Sequence, residues 1–393
     1  MRTTAPLVPA RALLAMLAVL AGLSGCGGGG GGGSDAAPAA PPAPPAAARA
    51  TAQPVRFASP WGMAALPDGS WLVTQRVAGL VRMAADYSGS QPISGGPVVA
   101  SAGQGGLLDV ALDPDFASNA LVYLSYAEAG SGADAGKAGT AVARAQLVGN
   151  ALQGLTVIFR QSPKVAGSGH YGSRLVFARD KTLYITLGER QLGSPAQDVA
   201  QTLGKVVRIN RDGSLPAGNP SFGAGALPGL WSIGHRNPQG AALHPVTGEL
   251  WVSEHGSQGG DGINIARAGG NHGWPLVSYG CNYGDPVGTA CAIGGGVHAP
   301  RFVEPLTSWV PTSIAPAGIA FYGGAMFPEW RGNLFVGALA GQALWRLTLA
   351  GDTVTSREML FADLGERIRA VAVAADGALL LLTDSGRLMR VAR

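Results

Sequence analysis

One phrase recurs six times along this chain: a turn rich in Pro, Asp and Gly, followed by four to six apolar or β-branched residues. The copies are LPDGSWLVTQR (66–76), LDPDFASNALVYLSY (112–126), FARDKTLYITLGER (177–190), LHPVTGELWVSEHG (243–256), FPEWRGNLFVGAL (327–339) and AADGALLLLTDSG (374–386). Each pairs a turn signal with a run of strand length. No sustained i, i+3, i+4 apolar stripe accompanies them, so helical layers are not indicated. The copies lie about 45 to 85 residues apart, which suggests a radial repeat. A sandwich does not explain six copies of one phrase, and a β-helix would have a shorter, stricter period. The expected fold is all-β: a six-bladed β-propeller of four-stranded antiparallel blades over residues 54–393, with few exposed edges. The wider gaps mark insertions, mostly around residues 257–311, and rim loops are where such scaffolds carry function.

The N-terminus reads differently. Arg2 and Arg11 flank the start of an apolar run, residues 13–23, too short to span a bilayer. It ends in Leu23-Ser24-Gly25-Cys26, which resembles the bacterial lipoprotein signal. That resemblance implies cleavage after residue 25, lipid modification of Cys26, and a periplasm-facing protein held at a membrane, the outer membrane of a Gram-negative bacterium. A plain secretory signal with an incidental cysteine is the simpler alternative. Seven glycines (27–33) and a Pro/Ala-rich stretch (35–50) follow, so residues 26–53 read as a disordered linker: flexible first, stiffer after.

Formal net charge is +4 and no Lys/Arg cluster stands out, which argues against nucleic acid as a partner. Cys281 and Cys291 enclose NYGDPVGTA. In an exported chain such a pair is expected to form a disulfide, worth about 2–3 kcal/mol by loop entropy. A zinc site would need a second Cys/His pair, which is not placed to complete one.

Four segments between the strand phrases carry candidate chemistry. Gln104 precedes a Gly pair in GQGGLLDVALDPDF, where a tight turn is the bland explanation. His170, in SGHYGSRLVF, sits just before a strand; a neutral imidazole there could act as a base, or simply be a hydrogen-bonded rim residue. GHRNPQG sets Arg236 and Asn237 side by side on a braced turn, and Arg offers a planar fork for carboxylates or polarised oxygens. The next strand ends in Glu254-His255-Gly256-Ser257-Gln258-Gly259-Gly260-Asp261, an acidic, carbonyl-rich loop of the kind that suits Ca²⁺. Finally, Arg367 and Arg369 share one face of a strand. Two adjacent guanidiniums repel unless an anion joins them, which points to a bound polycarboxylate or, more simply, a solvated edge.

Together these segments resemble the soluble aldose sugar dehydrogenases that depend on pyrroloquinoline quinone (PQQ), in the glucose/sorbosone dehydrogenase family. The matching pieces run in order from about Phe57 to Arg390. They include TLGKVVRINRDGSLPAGNP (202–220), GGNHGWPLVSYG (269–280), PTSIAPAGIAFYGG (311–324) and Arg367-Ile368-Arg369, besides the segments above. The resemblance implies oxidation of the C1 hydroxyl of an aldose to the lactone, with His170 as general base and hydride transfer to PQQ. It places Arg236 beside the quinone C5 oxygen, Asn237, Arg367 and Arg369 on the cofactor, and Gln104 and Tyr322 at the sugar. It also assigns a Ca²⁺ to the carbonyls of Gly256 and Ser257. The electron acceptor stays unidentified. Departures are visible: Ala340 stands where Lys is common, Gly262 follows Asp261 where Glu is usual, and Gly188-Glu189-Arg190 replaces a usual Gly-Asp. Losing one cofactor cation would cost about 1–3 kcal/mol of affinity. Two other readings compete: a carbohydrate-binding or scaffolding propeller whose cofactor site has decayed, and a Ca²⁺-dependent sugar lactonase. The lactonase would need acidic ligands at the channel.

Overall fold

The computed structural model describes residues 47–393. The signal segment, Cys26 and most of the expected linker lie outside the described residues. Among those described, strands form six four-stranded antiparallel sheets. Blade 1 occupies residues 60–93, blade 2 107–160, blade 3 172–233, blade 4 238–309 and blade 5 316–360. Blade 6 takes three strands from residues 368–392, and its outermost strand is Arg49–Arg56, paired antiparallel with Arg387–Ala392. The two ends of the propeller thus share one sheet, which closes the ring.

That closing strand begins inside the segment read as linker. Composition made Ala48, Arg49 and Ala50 look like spacer, but Ala48 and Ala50 pack against the core of blade 6. The strand is held mainly by backbone pairing (Arg49 opposite Ala392, Thr51 opposite Arg390), which composition does not record.

Each recurring phrase is the hairpin between the first and second strands of a blade. The turn chemistry explains the recurrence. Asp68 Oδ1 accepts from Ser70 N at 3.0 Å and Ser70 Oγ at 2.6 Å, and Asp180 holds Thr182 in the same way at 3.0 and 2.6 Å. Asp376 Oδ1 accepts from Ala378 N at 3.0 Å. These are Asx turns, in which the carboxylate satisfies an N–H two residues on. The second strands, such as Leu183–Leu187, Leu334–Ala338 and Leu379–Thr383, are buried at every residue. Both faces of each blade press on neighbours, so these strands are near-continuous apolar runs with no polar alternation.

On the axis, Arg174 of blade 3 joins the other five blades. Its Nη1 donates to Asp109 Oδ1 of blade 2 at 3.1 Å, its Nε to Gln239 O of blade 4 at 2.6 Å, and its Nη2 to Arg369 O of blade 6 at 3.2 Å. The guanidinium stacks 4.0 Å from the Trp61 ring of blade 1. In blade 5, a Cβ on Gly318 would lie 3.2 Å from Nη2 and only 2.8 Å from Ala370 Cα, so only glycine leaves room. Asp109 Oδ2 accepts from Leu175 N at 2.9 Å. Burial raises the Asp109 carboxyl pKa and lowers that of Arg174, each opposed by the partner's charge. Removing one partner of such a pair strands the other. Arg174→Met is expected to lower unfolding free energy by about 3–5 kcal/mol, and adding Asp109→Asn to recover part of that loss. Denaturant midpoints of the three variants test this; an unaltered midpoint for Arg174→Met contradicts it.

Candidate active site at one end of the channel

Loops leading into the innermost strands gather most candidate residues. His170 precedes Gly172–Phe177, Arg236 and Asn237 precede Pro238–Leu243, and Arg367 precedes Ile368–Val373. Loops after the second strands add Glu189, Gly256, Ser257 and Asp384.

His170 is 6% exposed and adopts φ 49°, a left-handed conformation that is uncommon without glycine. Its backbone N–H donates to Gln104 Oε1 at 2.8 Å, which brings Gln104 to the site. Its Nδ1 lies 2.7 Å from Glu189 Oε1, and Glu189 Oε2 accepts from Leu192 N at 2.5 Å and Gly193 N at 2.8 Å. Burial opposes ionisation of Glu189, but hydrogen bonds from His170 and Gly193 outweigh it and hold its carboxyl below the usual range. The carboxylate therefore accepts a hydrogen bond from Nδ1–H, which keeps the proton on Nδ1 and leaves Nε2 with its lone pair. Burial is also the largest influence on His170 and lowers its pKa; the Glu189 hydrogen bond opposes the shift and nearby Arg236 adds to it. The ring is thus neutral near neutral pH. In the sequence Glu189 shows only as a departure from Gly-Asp; its place just past the strand ending at Leu187 is the available signal.

Arg236 donates to His255 O at 3.4 Å and to the Tyr283 hydroxyl at 3.2 Å, and its guanidinium lies 5.1 Å from the Trp274 ring. A cavity of about 350 Å³ is lined by His170, Glu189, Arg236, Ser257, Trp274 and Tyr283, among others. A second, of about 410 Å³, is lined by Arg76, Gln104, Gln239, His255, Arg367, Arg369 and Asp384, among others. The His170–Gln104 and Arg236–His255 bonds connect their walls.

Arg367 Nε donates to Asp384 Oδ2 at 2.9 Å, and Arg369 Nε to Asp384 Oδ1 at 2.9 Å. The anion that the two arginines require is thus first of all Asp384, which the sequence reading did not identify. It neutralises one charge of three, because Arg76 lines the same cavity.

Asn237 is fully buried; its Oδ1 accepts from Gly172 N at 3.1 Å. Its Nδ2, Arg236 Nε and His255 Nε2 are buried donors or acceptors with no partner among the described residues. Of these, Arg236 and His255 line the cavities, where such orphans suit a ligand rich in carbonyl and carboxylate oxygens. His255 stands near Arg369, Arg236 and His170; burial, then the charges around it, push its pKa down to about 3. His235 is scaffolding: its Nδ1 meets Glu254 at 3.0 Å and its Nε2 meets Ser232 Oγ at 2.8 Å.

Asp261 is not free for a metal. Its carboxylate accepts from Gly256 N at 2.8 Å, Ser313 Oγ at 2.5 Å, Ile314 N at 2.6 Å and Ala315 N at 2.7 Å. Among the described residues no group of three His, Cys, Asp or Glu side chains could hold a metal ion. The Gly256 and Ser257 carbonyls accept no hydrogen bond from any described residue.

Tyr322 does not reach the site. It follows the innermost strand of its blade, whereas His170, Arg236 and Arg367 precede theirs. Its ring packs in a cluster with Phe327, Trp330 and Phe335, and its hydroxyl donates to Gly377 O at 2.6 Å. The motif's aromatic serves the core, and its placement at the sugar is withdrawn. Cys281 and Cys291 form the expected disulfide.

The pattern of the Glucose / Sorbosone dehydrogenase family matches residues 57–390. The aldose sugar dehydrogenase YliI of Escherichia coli (strain K12) is 42% identical over 338 residues, covering 84% of this chain and 89% of that protein. The crystal structure of the soluble aldose sugar dehydrogenase from Escherichia coli in the apo-form aligns with TM-score 0.82 at 40% identity, over 88% of this chain and 99% of that one. The PQQ-bound form of aldose sugar dehydrogenase from Streptomyces coelicolor aligns with TM-score 0.72 at 29% identity, over 89% of this chain and 99% of that one. A match that runs through the whole propeller shows that this chain belongs to the glucose/sorbosone dehydrogenase family of soluble aldose sugar dehydrogenases.

Proposed function

We propose that this protein oxidises the C1 hydroxyl of an aldose to the lactone, with PQQ and Ca²⁺ as cofactors. The observation that carries this reading is the buried His170–Glu189 pair set in one cavity with Arg236. The orphaned Arg236 Nε, Asn237 Nδ2 and His255 Nε2 fit a planar, oxygen-rich cofactor, as does the PQQ-bound relative. When bound, PQQ supplies the two-electron acceptor for the C1 hydride.

His170 Nε2 takes the proton of the C1 hydroxyl, and Glu189 holds the tautomer and stabilises the imidazolium that forms. Arg236 offers fixed positive charge where negative charge develops on the acceptor side. Arg76, Arg367 and Arg369, with only Asp384 opposing them, give one cavity wall a surplus of positive charge suited to a polycarboxylate. Arg76 thereby supplies the cation that Ala340 lacks. The Gly256 and Ser257 carbonyls would hold the Ca²⁺. Gln104 orients His170 and borders the sugar. On the sequence signal alone, the reading extends to lipid attachment at Cys26 and a periplasmic location at the outer membrane, with an electron acceptor of unidentified nature.

Apoprotein given PQQ and Ca²⁺ is expected to reduce a redox dye when aldoses are added; the absence of both cofactor binding and dye reduction would sink the proposal. His170→Ala should lower kcat by about 10²–10⁴-fold while cofactor affinity, read by calorimetry, stays that of the parent. Arg76→Met should weaken cofactor binding about tenfold, as expected for a lost charged hydrogen bond.

The pH dependence has a definite sign. Protonating His170 removes the base, so kcat/KM falls as pH drops through its pKa, which burial places below the ordinary 6.5. Glu189→Gln removes the group that raises this pKa. The acid limb should then move to still lower pH while kcat falls about 10²-fold or more through loss of the fixed tautomer. An acid limb above 6.5 in the parent would exclude His170 as the titrating base.

A further inference from the structure

The disulfide-closed loop 281–291 has no part in the reading above, yet it walls the same cavity as His170. Asn282 and Tyr283 line that cavity together with Glu189, Arg236 and Trp274. The near end of the loop is stitched to the Gly256–Ser257 turn. Cys281 N donates to Gln258 O at 3.0 Å, and Gln258 N donates back to Cys281 O at 3.1 Å. Ser257 Oγ also donates to Cys281 O, and Gln258 Nε2 donates to Asp285 O at 2.9 Å. The Cys281–Cys291 bond fixes the far end. A loop tethered at both ends loses little conformational entropy when a ligand presses on it.

Tyr283 is 71% exposed and lines the cavity beside His170. Its hydroxyl accepts from Arg236 Nη2 at 3.2 Å, and the guanidinium carbon lies 5.7 Å from its ring centre and 5.1 Å from that of Trp274. Two aromatic rings thus flank Arg236 beside His170. A pyranose presents C–H bonds on its faces and hydroxyls around its edge. Aromatic rings cover the faces, and a few polar groups meet the edge.

We propose that Tyr283, presented by the disulfide-closed loop, positions the sugar: its ring covers the C–H face of a pyranose bound at His170, and its hydroxyl restrains Arg236. This rests on the aldose reading above. Tyr283→Ala should raise KM for D-glucose and other aldoses about tenfold or more, equivalent to about 1.4 kcal/mol, while cofactor affinity measured by calorimetry without sugar changes by less than about threefold. Tyr283→Phe should keep the parent KM and lower kcat several-fold, because Arg236 loses a restraint but the ring remains. Cys281→Ser/Cys291→Ser should raise KM in the same direction as Tyr283→Ala, with thermal unfolding confirming that the chain is folded.

If Tyr283→Ala keeps the parent KM while the parent turns over aldoses, the positioning role is overturned and the dehydrogenase reading stands. Hydrogen–deuterium exchange reads the contact without turnover. Adding D-glucose should slow exchange of the amides of residues 282–288, in cofactor-free and loaded protein alike. Unchanged exchange overturns the assignment whether or not the protein oxidises the sugar.

Discussion

A ring of six blades has one place where all of them meet, and here a single guanidinium occupies it. Arg174 bonds to Asp109, Gln239 and Arg369, stacks on Trp61, and lies against Gly318. Such a pair contributes modestly to net stability, since desolvation offsets most of the attraction. Its larger effect is geometric. It sets the distance between innermost strands and makes the floor on which the cavity rests. Two of the acceptors it fixes, Gln239 O and Arg369 O, belong to residues whose side chains line that cavity. The position of the site therefore follows from the position of the axis.

Above that floor, charge is arranged asymmetrically. Arg236, Arg367, Arg369 and Arg76 border the cavities, against Glu189 and Asp384. Burial first, and the nearby positive charge second, lower the pKa values of His170 and His255, while hydrogen bonds from His170 and Gly193 hold the Glu189 carboxyl below its usual range against burial. A neutral imidazole beside fixed guanidiniums is a base that is ready at neutral pH. In water the same ring would be partly charged. Backbone N–H groups from Leu192 and Gly193 hold the Glu189 carboxylate in place beside His170.

The blades were legible because their signal is local. An Asp that caps its own turn two residues on needs no distant partner, and the buried second strand reads as a plain apolar run. His170, Arg236, Asn237 and the arginine pair were legible through motif order. What escaped were relations between segments far apart in the chain. Arg174 looks like any strand arginine until five other blades surround it. Asp384 supplies the anion the arginine pair implied, but nothing near residue 367 announces it. Glu189 differs from the usual residue by one methylene and still reaches His170. Tyr322 sits in a matching motif yet points into the core, because a motif gives proximity in sequence and not the direction of a side chain. The strand at Arg49–Arg56 was hidden by its alanines, since its partner recognises backbone.

That strand has a consequence for how the protein comes into being. Arg49–Arg56 is made among the first of the described residues, and Arg387–Ala392 is the last strand of the chain. The earliest strand therefore stays a lone edge, open to wrong pairings, until the final residues arrive. Ring closure waits until Arg387–Ala392 has been made. A chain that stops before Arg387 loses not one blade edge but the fastening of the whole ring.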